Sequence, residues 1–172
     1  FLSKEKAGGG VLIDAGVHVV DTLLWWFGDV ESLRYSDDCF GGVEANCLLE
    51  LTMAEGVTGT VELSRTRAMP NTAILYGEKG KLTIDVSGKR ASLEIEEGSG
   101  GERQVLDGQV MHAQSDSHTK DMAEIQLSDF ACAIRSVRSP FVDGIAGKRS
   151  IELIERCYAQ RSPLVLPWVS RQ

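Results

Sequence analysis

One short stretch near the start of the chain holds the side chains best suited to moving protons. Residues 11–27 are largely apolar, and Asp14, His18, Asp21 and Trp25 interrupt them at helical intervals. At ~100° per residue these four fall within about 60° of one another, a single narrow stripe. A carboxylate and an imidazole four residues apart are neighbours across one turn, able to share a hydrogen bond or a ligand. A histidine held beside a carboxylate keeps one tautomer and exchanges protons near its ordinary ~6.5, which is the chemistry of a general acid/base. The same spacing also describes the solvated face of an amphipathic helix, and periodicity alone leaves both readings open. The narrowness of the stripe favours a cleft, because a helix apolar around most of its circumference is buried on most sides. Gly16 lies between Asp14 and His18, where glycine costs up to ~1 kcal/mol of helix propensity, so either a packed strand or a ligand approaches the backbone there.

Other residues could join this stripe. Arg65, after Ser64 at a strand end, suits a surface or subunit interface first and an anionic or polyhydroxylated substrate second. Trp25 could stack on a sugar ring or fill a core. His112 and His118 belong to a polar stretch, 109–120, that reads as a loop on the substrate side. With either of them, Asp14 and His18 would also form a zinc-like ligand set, an alternative set below the acid–base reading because two ligands on one helix arise often by accident. No metal is therefore expected.

The elements that would position these residues are legible as patterns. The apolar run ends at Gly28, a natural helix stop, so a helix is predicted over 11–27. Ala45, Cys47, Leu49, Leu51 and Met53 alternate with Asn46, Glu50 and Thr52, as in a half-buried strand. Further strands are predicted over 57–64, 72–76, 81–86 and 90–96, joined by turns short enough to require antiparallel neighbours. A glycine-rich stretch, 98–101, and the polar one separate them from two helices. The first, 121–137, carries Leu127, Phe130, Ala131 and Ile134 at helical spacing, with Asp121 and Glu124 as a capping pair. The second, 146–161, places Ile151, Ile154, Cys157 and Tyr158 on one side. Leu164, Val165 and Leu166, fenced by Pro163 and Pro167, predict a last strand at a sheet edge. The order implies an α+β fold, a predominantly antiparallel open-faced sheet with helices packed on one face. Asn46, Leu48, Glu50, Thr58, Thr60 and Glu62 would line the other face, which tolerates water or a partner subunit.

Composition fits this picture. The 172 residues are 42% hydrophobic and 25% charged, enough for one ordinary domain with its own core. A net charge of -7, with lysines and arginines scattered, argues against nucleic acid as a partner. Asp14, His18 and Asp21 break the longest apolar run before it reaches the ~20 residues of a membrane span, so no membrane partner is expected. Cys39, Cys47, Cys132 and Cys157 show no paired spacing and read as free thiols in a reducing compartment, the cytoplasm. The opening residues contain no secretory signal and no initiating Met, and the chain reads as a piece of something longer.

Gly8-Gly9-Gly10, Asp14, Gly16, His18 and Asp21, closing with Trp26-Phe27-Gly28, resemble the GGGxxxDxGxHxxD helix of the Gfo/Idh/MocA dehydrogenases. Glu55 to Thr60, Ser64-Arg65 and Tyr76 to Gly80 resemble that family's strands and hairpin. Asp129-Phe130, Ala133 to Arg135, Gly144 to Lys148 and Ile151 to Glu155 resemble its closing helices. The resemblance implies the C-terminal, dihydrodipicolinate-reductase-like domain of an NAD(P)-dependent enzyme acting on a sugar, inositol or related polyol. His18 would then be the general acid/base, with possible nicotinamide contact, and Asp14 would position the substrate. An N-terminal Rossmann domain would bind NAD or NADP, and homo-oligomers would form through the open sheet face. The sequence carries neither GxGxxG after a strand nor the family's Glu-Lys-Pro, and Gly144 to Arg149 lacks the spacing and hydroxyl of a P-loop. The whole chain, 1–172, is thus expected to be a single substrate-binding and oligomerisation domain, inactive alone.

Overall fold

A computed structural model describes residues 3–40, 42–85, 90–96, 103–108 and 118–165. The glycine-rich stretch 98–101, His112, the side chains of His118 and Asp121, and Leu166 and Pro167 lie outside the described residues or atoms. The chain divides into two compact units, Phe1–Ala68 with Val137–Gln172, and Met69–Ser136.

In the first unit a short helical turn, α1 (Lys4–Ala7), precedes a rod that begins at Val11, passes through a π turn (Leu12–Gly16) and continues as α2 (Val17–Phe27). The rod forms because Leu12, Val20 and Leu24 recur on one side and bury there. It stops where Gly28 adopts φ +79°, its N–H donating to Leu24 O at 3.1 Å. Beneath it lies a sheet of β1 (Val30–Asp37), β2 (Asn46–Met53), β3 (Thr58–Ser64) and β8 (Arg161–Pro163), in the order β3-β2-β1-β8. β1 pairs antiparallel with β2 in the register Leu33↔Leu51 and Tyr35↔Leu49, and β2 pairs antiparallel with β3 through Leu49↔Val61. One sheet face presents Leu33, Tyr35, Cys47, Leu49 and Met53 to the rod and to α4 (Gly144–Ala159), and this is the core. The opposite face carries Arg34, Glu50, Thr58, Thr60 and Glu62 and is covered by no helix among the described residues of this unit.

The second unit is an antiparallel meander, β4 (Thr72–Gly77), β5 (Gly80–Asp85), β6 (Ala91–Glu96) and β7 (Arg103–Gly108), followed by α3 (His118–Ser136). The turn between β4 and β5 is the two residues Glu78 and Lys79, bracketed by the pair Gly77↔Gly80. The fold is α+β, as the patterns imply, with sheets antiparallel throughout except where β8 runs parallel to β1.

Several elements depart from the sequence expectations. The last strand among the described residues is Arg161–Pro163, and Leu164 and Val165 lie beyond it, because Arg161 pairs with the buried Asp37 and fixes the register before Pro163. Ser162 Oγ then donates to Tyr35 O at 3.0 Å, and the strand lies at the sheet edge as expected. β7 has no counterpart among the predicted strands, since Val105 and Leu106 are adjacent and both exposed, which destroys the alternation. α3 starts three residues before Asp121, so Asp121 lies within the helix and is not its cap. The apolar residues of α3, Leu127, Phe130 and Ile134, are exposed. α4 starts two residues earlier than predicted because Asp143 caps it, accepting from Ile145 N and Ala146 N at 3.0 Å each. Its buried side carries Leu153, Ile154 and Cys157, while Ile151 is exposed. Asn46 shares the parity of Glu50 in the register, as expected for the open face, but it is buried there. Finally, the helical stretch Glu5–Phe27 has the length and composition of a membrane span, contrary to the apolar-run count. A core helix meets the same criterion, and Leu12, Val20 and Leu24 are core residues here.

Candidate functional site

The rod begins on three glycines, and two of them are required by close approach. A Cβ on Gly9 would stand 2.2 Å from Tyr158 Oη, and one on Gly10 would stand 1.9 Å from Glu44 O. Through that space Glu44 reaches the rod's first turn. Its carboxylate accepts from Gly10 N at 2.8 Å, from Leu12 N at 3.1 Å and from Tyr158 Oη at 2.8 Å, while its carbonyl accepts from Val11 N at 2.9 Å. These are N–H groups that a helix start leaves without intrahelical partners, and Glu44 satisfies them from a different segment. Burial, together with the bond to Glu44, pushes the Tyr158 hydroxyl well above its ordinary range.

The stripe follows immediately. Asp14 sits in the π turn with its side chain 69% exposed, and the Arg65 guanidinium, 48% exposed, pairs with its carboxylate. His18, in the first turn of α2, is exposed, and its carbonyl accepts from Thr22 Oγ1 at 2.8 Å. Asp21 accepts from Ser150 Oγ on α4 at 2.8 Å. Trp25 is 77% exposed and is no core residue. The structure therefore brings Asp14 and Arg65 together and leaves the His18 ring and Trp25 outward on the same rod. Among the described residues of its unit, the stripe lies on the surface and not in a cleft. A groove of about 620 Å³ lies at the C-terminal end of the rod, between Leu24, Asp29, Arg149 and Arg156, and includes none of the stripe except its neighbour Leu24. At Gly16 a Cβ would meet Leu63 Cδ1 at 2.6 Å, so the glycine admits a packed strand and not a ligand.

Arg65 is flanked by a cluster of polar groups gathered around the buried Asn46. Its N–H donates to Ala45 O at 2.9 Å. On either side, Ser64 Oγ and Thr66 Oγ1 both donate to Asn46 Oδ1. Asn46 in turn donates through Nδ2 to Asp38 at 2.6 Å, and Asp38 also accepts from the Ala45 and Asn46 amides at 2.8 and 2.9 Å. Burial opposes ionisation of Asp38, but the hydrogen bonds from Asn46 and Ala45 outweigh it and hold the carboxyl below its ordinary range. The hydrogen-bond partners of Glu44 and Asn46 are what sequence reasoning missed. The one available signal was Gly9-Gly10, which marks a close approach without saying what approaches.

Cys47 and Cys157 are buried free thiols, as expected, and burial pushes them up to about 12 and about 11 respectively. Cys39 is half-buried and Cys132 exposed, and both are free.

The arrangement defines an α+β domain that presents a carboxylate, a guanidinium and an imidazole outward from a core helix. The sequence carries this to a family. Residues 1–83, which include the rod and the whole of β1, β2 and β3, match the GFO/IDH/MocA C-terminal domain. Solved structures share the fold over most of the chain. A UDP-N-acetylglucosamine 3-dehydrogenase from Acidithiobacillus ferrooxidans is 19% identical, with TM-score 0.66 over 88% of this chain and 47% of its own. An NAD-binding oxidoreductase from Klebsiella pneumoniae is 14% identical, with TM-score 0.73 over 92% and 50%. A levoglucosan dehydrogenase, solved with NADH and levoglucosan, is 16% identical, with TM-score 0.67 over 90% and 50%. The chain spans about half the length of these structures. No curated protein matches it by sequence.

Proposed function

We propose that this chain is the substrate-side domain of an NAD(P)-dependent dehydrogenase of sugars, inositols or related polyols, with His18 as the general acid/base and Asp14 as the residue that positions substrate. The observation that carries the reading is the exposed rod face on which Arg65 orients the Asp14 carboxylate one turn from an unburied imidazole. Ion pairs as exposed as this one contribute about 0–1 kcal/mol to folding, so orientation and not stability is what the pair supplies.

The dinucleotide itself does not fit the triple-glycine start of the rod. Such a start ordinarily cradles phosphate with its N–H groups, but here the Glu44 carboxylate already occupies them. NAD or NADP is therefore assigned mainly to an N-terminal Rossmann domain outside these residues. When bound, the nicotinamide supplies the hydride acceptor or donor. Asp14 accepts a hydrogen bond from a substrate hydroxyl, and Arg65 keeps its carboxylate turned toward that position. His18 takes the proton that the reacting hydroxyl sheds on oxidation, or returns it on reduction. Trp25 offers a face for the sugar ring. The chain alone, lacking a hydride acceptor, is inactive. Homo-oligomers form through the sheet face carrying Glu50, Thr58, Thr60 and Glu62, and the buried free thiols Cys47 and Cys157 favour the cytoplasm.

The deciding experiment is His18→Ala in the protein that carries both domains. Turnover is expected to fall roughly a hundredfold or more, the contribution of a positioned acid/base, with cofactor affinity unchanged. Undiminished turnover would remove His18 from the reaction.

A further inference from the structure

We infer that Glu44, with its neighbour Ala45, is the positioning element that sets the Asp14–Arg65 pair in register, a proposal that rests on reading the rod's stripe as the acid–base site. The two partners of the pair come from segments 51 residues apart in sequence, so something must fix the helix start against the strand end. The two successive carbonyls of Glu44 and Ala45 do so. Glu44 O accepts from Val11 N and Ala45 O accepts from Arg65 N, each at 2.9 Å.

The Glu44 side chain then completes the grip on the helix. Its Oε2 holds Gly10 N and its Oε1 holds Leu12 N and Tyr158 Oη, so three successive N–H groups, of Gly10, Val11 and Leu12, end on one residue. The π turn that carries Asp14 begins at Leu12, directly after this anchor. A π turn inserts an extra residue and redirects the side chains that follow, and it recurs at functional sites. With the start of the turn pinned, the direction of Asp14 is set relative to Arg65. Glycine at position 10 is part of the device, since any side chain there would collide with the Glu44 backbone.

The test is residue-resolved amide exchange, read together with the Arg65 guanidinium signal, on the 172-residue chain by NMR. In the unsubstituted chain the Gly10, Val11 and Leu12 amides should be protected, although first-turn amides ordinarily exchange freely. Free exchange at all three would overturn the proposal with no variant needed. Glu44→Gln replaces one acceptor oxygen with an NH2 that cannot accept, so exchange at Gly10 or Leu12 should accelerate about tenfold. In the same variant the Arg65 signal should move toward that of free arginine, as Asp14→Asn alone should make it do while leaving the Gly10 and Leu12 amides protected. A role limited to stability would not move the Arg65 signal in a folded variant, and its constancy in folded Glu44→Gln would overturn the positioning role. The two readings fail separately. Normal turnover of His18→Ala sinks the acid–base assignment, whereas unchanged amides and an unchanged Arg65 signal in Glu44→Gln sink the registration.

Discussion

Arg65 turns a surface carboxylate into a directed one. Because the pair is exposed, its loss should be felt in substrate binding far more than in folding. Arg65→Ala in the proposed two-domain enzyme is expected to raise the Michaelis constant about tenfold while costing less than about 1 kcal/mol in urea unfolding, and an unchanged constant would make Arg65 a bystander. Asp14→Ala should raise the constant and slow turnover together, and normal kinetics would reduce Asp14 to a helix-face residue. Asp38 behaves differently, because its folded carboxyl lies below its ordinary value. The sign follows from that direction. Asp38 contributes stability above its unfolded value of ~3.9, and the contribution is lost as pH falls through the lower folded value. Urea midpoints measured between pH 6 and pH 3 should therefore fall less steeply in Asp38→Asn than in the parent, and parallel slopes would contradict the assignment.

The rod could be read as a helix because Val11, Leu12, Val20 and Leu24 repeat at its period and Gly28 ends it. Its π turn could not, since the extra residue changes hydrogen bonding without changing the order of apolar side chains. The alternation of Cys47, Leu49, Leu51 and Met53 named β2 and its buried face, whereas Asn46, at an open-face position of the register, is buried because Asp38, Ser64 and Thr66 surround and satisfy its amide. No pattern of hydropathy encodes such a partner set. Likewise the capping role of Asp143 moved the start of α4, and the Arg161–Asp37 pair moved the last strand, both through single long-reaching contacts. Gly16 gives the sharpest test at this scale. Gly16→Ala improves helix propensity by up to ~1 kcal/mol, yet its Cβ would stand 2.6 Å from Leu63 Cδ1 on β3. Overpacking typically costs about 1–3 kcal/mol, so the variant should be less stable than the parent by thermal unfolding. Pairing it with Leu63→Ala should restore part of the loss, and an absence of coupling between the two would separate the glycine from that contact.

At the scale of the whole molecule, the first unit has a sheet with a core on one side and, among its described residues, no helix over the other. The stripe that reads as a site lies on the rod packed against the core side, so the sheet's open face is free for a different task. That face is polar but not strongly charged: Thr58 and Thr60 on β3 stand beside Glu50 and Glu62, with Arg34 across from Glu50 at 3.7 Å. Such a mixture suits an isologous contact, in which each residue meets a copy of its own surroundings and a lone added charge is duplicated. Thr60→Arg is exposed in the chain and opposite Glu50 in the register, so the fold should accept it. Two copies facing each other would not accept it, because the long side chain would stand between the two faces and the charge of each copy would be desolvated at the contact. Light scattering of the variant should therefore report a monomer where the parent reports an oligomer, with the thermal midpoint of the isolated fold preserved. An oligomer of unchanged mass in both proteins would place the subunit contact somewhere other than this sheet.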